Sequence, residues 1–294
     1  MAAMTTPAAQ GLAAKNRTAK SLPAGPRTSY APRCESTDSE SLACPIPAHD
    51  RPDYWDNVPD MSGFSPAFER LGAALAAVVL QQQETLAEFL PREDWSADLT
   101  ARTYSSGGVT VRVSLLGSYA ARERTWLWGW ANPQFGDAHP AVTPTLGIRT
   151  LGERLGITEF TTPEVDLSWY EGPAGHGGEL VAMAAGGVLG GGGYIGAGYD
   201  GGSAYLHVDD PQAPPARWDP VTVPRLLTNA AALFPHEPRL TLAGLLSHHR
   251  VPFRQTDVLT EALPAGGGTA RATFDGLGRF VGWKAELTPV SLGT

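Results

Sequence analysis

Val109-Thr110-Val111-Arg112-Val113-Ser114-Leu115 places Val109, Val111, Val113 and Leu115 on one side of an extended chain. Ten residues later, Thr125-Trp126-Leu127-Trp128-Gly129-Trp130-Ala131-Asn132 repeats the alternation with three tryptophans on one side. A period of two is the signature of a half-buried strand. Leu99 to Tyr104 also alternates, and Ser105-Ser106-Gly107-Gly108 turns it into the valine run, so these segments read as an antiparallel meander.

Upstream, Ser65-Pro66 is a helix start, with Ser as N-cap and Pro in the first turn. Phe68, Leu71, Leu75, Val79, Leu86 and Leu90 recur every three or four residues until Pro91 stops the helix. Gln82 interrupts this stripe. A buried amide needs partners, so it either hydrogen-bonds within the fold or faces a cavity.

Downstream, Thr143-Pro144 opens a second helix that Gly156 ends, and residues 178–185 form a third. The glycine-rich tract then holds a strand around Tyr194 and a turn at Asp200-Gly201-Gly202. Its hairpin partner is 204–208. Helices follow at about 221–234 and 239–249, residues 257–263 fit strand or helix, and the end is a hairpin around Asp275-Gly276-Leu277-Gly278. Helices and hairpins alternate without βαβ order. The expected fold is α+β, an antiparallel meander sheet packed against several helices.

Residues 1–60 are rich in Ala, Ser, Thr and Pro and carry no apolar period, which predicts a disordered tail before a single domain over 61–294. Five bases and no acid occupy the tail to Arg33, and seven acids with one Arg run from Glu35 to Asp60. Cys34 and Cys44 both lie there, are not spaced as C-x-x-C, and are expected to stay reduced.

The net charge of −8 argues against a duplex nucleic-acid partner, although a local basic strip stays open. Lys15, Lys20 and Lys284 are the only lysines, against nineteen arginines. No apolar run is long enough for a membrane span, and no secretory h-region is visible, so a soluble cytoplasmic protein is expected.

Most catalytic motifs fail on context. Gly191-Gly192-Gly193-Tyr194-Ile195-Gly196 satisfies G-x-G-x-x-G, but it lies between a helix and a following strand, the reverse of the dinucleotide-binding order. His236-Glu237 meets Pro238 and Leu240, not a second histidine. Adjacent His248-His249 point about 100° apart on a helix, and read as cations at its C-terminus. Asp209-Asp210 ends a strand before Pro211, as a turn or as catalytic carboxylates. No metal or cofactor site emerges.

The informative residues are Trp126, Trp128, Trp130 and Asn132. Three tryptophans on one face either pack beneath the long helix or line a groove with Asn132 at its lip. The segment Trp126-x-Trp128-x-Trp130-Ala131-Asn132 resembles the W-x-W-x-W-x-N signature of an uncharacterised bacterial family of unknown function. Leu116-Gly117-Ser118-Tyr119, the run from Leu151 to Ile157 and Phe274-Asp275 with Gly278-Arg279 fit the same pattern, so the resemblance spans about 65 to 287. It implies a stand-alone bacterial cytosolic protein and brings no catalytic residue.

The leading expectation is a non-catalytic binding protein whose partner is another protein. The alternative is a small-ligand sensor or enzyme, its pocket beside 126–132 formed with Gln82, His207 and Asp209. A third reading gives the tail a scaffold role.

Overall fold

The computed structural model describes residues 63–172, 175–264 and 267–287. The expected tail, with both cysteines, lies outside these residues. Helix α1 runs Pro66–Phe89, and Ser65 caps it through a bond from the Phe68 N–H to its hydroxyl. The buried positions of α1 include Gly72, Ala73, Ala76 and Ala77, whereas Leu71 and Leu75 of the expected stripe are only half-buried. Small residues carry the closest contacts because neighbouring helices approach the α1 backbone itself. A methyl group on Gly244 would sit 1.9 Å from the Ala74 carbonyl oxygen, and one on Gly72 would sit 2.2 Å from the Phe234 ring.

The strands β1 (Trp95–Asp98), β2 (Thr103–Ser106), β3 (Val109–Ala120), β4 (Thr125–Trp128) and β5 (Glu164–Asp166) form an antiparallel meander. Residues 99–102, expected as strand, are instead the turn from β1 to β2. The Asp98 carboxylate accepts the N–H groups of Thr100 and Ala101 there, a local bond that competes with the ladder. Gly107 and Gly108 both take positive φ between β2 and β3, as a two-residue hairpin turn requires.

Strand β3 is the hub. Its first residues pair with β2, its last with β4, and from Val113 onward it also pairs with β7 (Gly202–Val208), which continues to β6 (Tyr194–Tyr199). A register shift between Leu115 and Gly117 bends it.

Helix α2 (Leu146–Leu155) ends at Gly156 in the left-handed conformation, and α3 is the short turn Thr158–Thr161. Helix α4 (His176–Leu189), longer than expected, joins α1 on one face of the sheet. Val111, Val113, Leu115, Leu206 and Val208 form a second core on the other face, closed by Leu86 and Leu90 from the end of α1 and by Ala141 and Val142.

Helices α5 (Val223–Leu233) and α6 (Pro238–His248) pack on α1. Beyond them lies a four-stranded antiparallel sheet in the order β11-β10-β9-β8. Its strands are β8 (Phe253–Gln255), β9 (Leu259–Ala262), β10 (Gly268–Phe274) and β11 (Phe280–Leu287). The ambiguous 257–263 segment therefore holds a strand at Leu259–Ala262, paired to β10. Ala262, Ala270, Ala272 and Phe274 join the same core as Phe68, Trp128 and Leu245. Among the described residues, six helices and all-antiparallel sheets make the fold α+β.

Candidate functional site

Trp126 and Trp128 are completely buried. The Trp126 ring lies 5.3 Å from Trp128 and 5.2 Å from Tyr205, and Trp128 meets Phe160 edge-on at 5.7 Å. The Trp128 indole N–H donates to the Glu159 carbonyl at 2.8 Å, while the Trp126 indole N–H has no partner among the described residues. The expected alternation through Asn132 stops at Trp128, because Gly129–Ala131 form one 3-10 turn. Gly129 fits there since a side chain would meet the Leu115 carbonyl at 2.8 Å. Trp130 thereby leaves the tryptophan face and lies half-buried under the Arg149 guanidinium, 4.9 Å above its ring. The Asn132 carboxamide accepts the Gln134 N–H at 3.0 Å, a turn-making bond.

Further along the same sheet face the surface turns polar. Tyr205, His207 and Asp209 alternate onto that side, and Ser114 pairs with His207 across the ladder. The Asp209 carboxylate accepts from the Ser114 hydroxyl at 2.8 Å, from Arg112 Nε at 2.9 Å and from Arg102. Arg102 is held at φ 57°, a left-handed backbone that costs about 1–2 kcal/mol outside glycine and is offset by these charge-assisted bonds. With two guanidiniums and a hydroxyl on it, this carboxylate is a structural anchor rather than a free base.

His207 is 3% exposed, and its Nδ1 has no partner among the described residues. Burial pushes its pKa down to about 4 against the opposing pull of Asp209, so the imidazole is neutral near pH 7.

Gln82 is bonded at both ends of its amide, donating to the Pro214 carbonyl at 2.9 Å and accepting the Ala216 N–H at 3.2 Å. Its neighbours act alike. Gln83 pairs with the N–H and C=O of Tyr194, and Gln81 meets His249 at 2.7 Å and the Arg217 carbonyl. Three consecutive glutamines thus tie one helix to three separate segments, with the geometry of an extra backbone rung at two of them. The glycine tract is shaped by the same contacts. A methyl on Gly193, at φ +90°, would lie 2.4 Å from Gln83 Oε1, and one on Gly192 would lie 2.6 Å from the Ala213 methyl. The tract is glycine because helix and loop touch its backbone.

One feature escaped sequence reasoning and a second was misread. Glu159, buried on α3, accepts from both the backbone N–H and the hydroxyl of Ser65, ninety-four residues away. It does at long range what a glutamate three residues into a helix does in a capping box. Only the acid itself was visible, with no spacing to Ser65 to flag it. Beside it a pocket of about 180 Å³ opens among Gly63, Phe64, Thr158, Asp166 and Trp169, below the roughly 300–1,000 Å³ of ordinary ligand sites. The second is the histidine pair. His248 and His249 pack edge-on at 5.0 Å and burial depresses both, His249 to about 4, so they are neutral and not the helix-end cations expected.

Among the described residues no three His, Cys, Asp or Glu side chains gather closely enough to hold a metal ion. No helix among them is long and apolar enough to cross a membrane.

The large exposed apolar residues collect elsewhere. Val258, Leu263, Leu277 and Val281 lie on the four-stranded sheet or its loops, and Val221 follows Pro220, whose carbonyl accepts the Trp283 indole N–H of β11. Among the described residues, Leu155 is the one such side chain outside this region. The turns holding Val258 and Leu277 meet at one end of the sheet, where the Phe274 N–H donates to the Val258 carbonyl.

These contacts define an α+β protein whose polar interior is spent on holding the fold together. Residues 69–211 match the model of a family of unknown function, DUF6882, a span from the first turn of α1 to just past β7. No curated protein and no solved structure matches the chain.

Proposed function

We propose that this chain is a non-catalytic interaction protein whose partner is another protein. The observation that supports it is a division of labour between the two sheets. In the larger sheet, and the helices on it, Gln81, Gln82, Gln83, Glu159 and Asp209, the groups with chemistry to offer, are each bonded to the fold itself. In the four-stranded sheet and beside it, apolar side chains stand uncovered: Val221 is 75% exposed, Leu277 71% and Val281 64%. A contiguous apolar patch rimmed by polar groups marks an interaction site, and here the turns carrying Val258 and Leu277 meet at one end of the sheet.

The test is reconstitution of a complex from tagged full-length chain and the co-purifying protein, repeated with Leu277→Lys and Val281→Lys. Both positions are exposed, so the fold should tolerate the change, which circular dichroism checks. A stoichiometric complex lost in these variants supports the reading. A complex that ignores both substitutions places the partner elsewhere and sinks it.

The small-ligand alternative has one observation in its favour. His207 Nδ1, buried and without a partner among the described residues, lies on the same sheet face as Trp126 and Asp209. Chemical-shift changes at His207 on adding a metabolite mixture would favour that reading over the first.

A further inference from the structure

Strand β11 is the outermost strand of the four-stranded sheet, eight residues long, and among the described residues it pairs only with β10. Long edge strands present a row of backbone donors and acceptors to solvent, and proteins commonly blunt them. The opposite edge is blunted here: β8 has three residues and follows Pro252. Strand β11 contains no proline, and Lys284, Ala285 and Glu286 on it are exposed.

Its charges are arranged about a centre. Lys284 and Glu286 flank Ala285 and, by the pleat, point to the outer face of the sheet. On that face a directly paired row crosses all four strands, Arg254 to Glu261 to Arg271 to Lys284. The signs alternate until the edge, where Arg271 and Lys284 stand side by side. Like charges directly opposite one another are unfavourable, so the row ends one acid short. No acid of β11 stands opposite Arg271, and Lys284 leans along its own strand to Glu286, at 2.6 Å.

We infer that β11 is a self-association edge, and that its occupant is β11 of a second copy, antiparallel about Ala285. This goes beyond the interaction reading above and concerns the edge of the same sheet. In that register Lys284 faces Glu286 of the second copy, and Glu286 faces Lys284, so the row gains its missing acid on both sides of a two-fold axis. The two four-stranded sheets become one of eight strands, and the backbone groups of both edges are paired.

Sedimentation equilibrium of the purified full-length chain tests this with Lys284→Glu, Glu286→Lys, the double swap, and Ala285→Pro. Wild type should be a dimer. Each single swap puts like charges opposite twice and should weaken the dimer about tenfold or more. The double swap restores complementarity and should bring affinity back. Mixing the two single-swap chains should produce a heterodimer tighter than either alone, and Ala285→Pro should remove dimerisation. A wild-type chain that stays monomeric at its highest soluble concentration overturns the inference. So does a dimer indifferent to the swaps. A monomeric chain that still forms the Leu277-dependent complex removes self-association and leaves the interaction reading standing.

Discussion

Replacing Gln82 with leucine separates a structural amide from one that faces a cavity. The substitution keeps volume and helix propensity but deletes both hydrogen bonds, leaving the Pro214 carbonyl and the Ala216 N–H without their partner. Each group stranded in a buried setting costs about 1–3 kcal/mol. The gain from burying leucine in place of an amide offsets part of this, and a net loss of about 2–4 kcal/mol remains. At a urea slope of about 3 kcal/mol/M, a reasonable value for a chain this size, the midpoint should fall by roughly 1 M. Urea unfolding followed by tryptophan fluorescence reads it, because Trp126 and Trp128 are buried and report loss of the core. A midpoint within about 0.2 M of wild type would refute the reasoning, since a loss of under about 0.6 kcal/mol at that slope means that the two bonds carry no net stability.

Trp128→Phe should cost about 1–2 kcal/mol more than Trp126→Phe, because Trp128 spends its indole N–H on the Glu159 carbonyl and Trp126 has no such bond among the described residues. Equal losses in chemical denaturation would discount that bond. Gly244→Ala should destabilise by about 1–3 kcal/mol or more, as its methyl would drive α6 off the Ala74 carbonyl. Gly147→Ala, in open space on α2, should stabilise by about 0.5–1 kcal/mol, and thermal melts that fail to separate the pair would contradict the packing described. The folded pKa of His207, about 4, lies below the ordinary 6.5, so the unfolded chain binds more protons between those values. Stability is therefore full above pH 6.5 and declines as pH falls toward 4, by about 3 kcal/mol from this group. His248 and His249, also depressed by burial, add to the slope, so His207→Phe should reduce it without abolishing it in a pH series of urea midpoints; an unchanged slope would show that His207 contributes nothing.

Signals local in the chain carried most of the fold. Ser65-Pro66 and Pro91 bracket α1, Gly156 stops α2, and Gly107-Gly108 and Asp200-Gly201 turn the two hairpins of the larger sheet. Elements that depend on distant partners were not legible. Strand β5 is three residues whose only reason to be extended is the ladder with β4. Strand β1 lies ahead of the alternating run because Asp98 captures the next turn, a bond that the alternation of Leu99 to Tyr104 hides. For the candidate site, the shared face of Trp126 and Trp128 followed from their period, but whether that face packs or lines a groove did not, and the breaking of the period at Gly129 follows from Leu115 across the sheet. Gln82 stood out as a core-facing amide in need of partners, but which groups would supply them was hidden, as it was for Gln81 and Gln83. Their partners lie more than a hundred residues away, and no spacing in the sequence announces them.

The boundary of the family match cuts across these contacts. Gln81, Gln82, Gly72 and Ala74 lie within 69–211, whereas Pro214, Ala216, Arg217, Phe234, Gly244 and His249 lie beyond it. Helix α1 is thus finished by residues outside the matched stretch. Without residues 212 onward, Gly72 would lose the Phe234 ring against it, Ala74 would lose the close approach of Gly244, and two buried amides would lose their partners. From Leu71 to Leu80 the helix is apolar all round, which suits a position between layers and not an exposed face. The C-terminal segment is therefore part of the core as well as the carrier of β11. It meets α1 through small residues and amides that admit no slack, and turns Val221, Val258, Leu263, Leu277, Val281 and the charges of β11 toward solvent. One side of that segment is constrained by packing, and the other lies open to solvent.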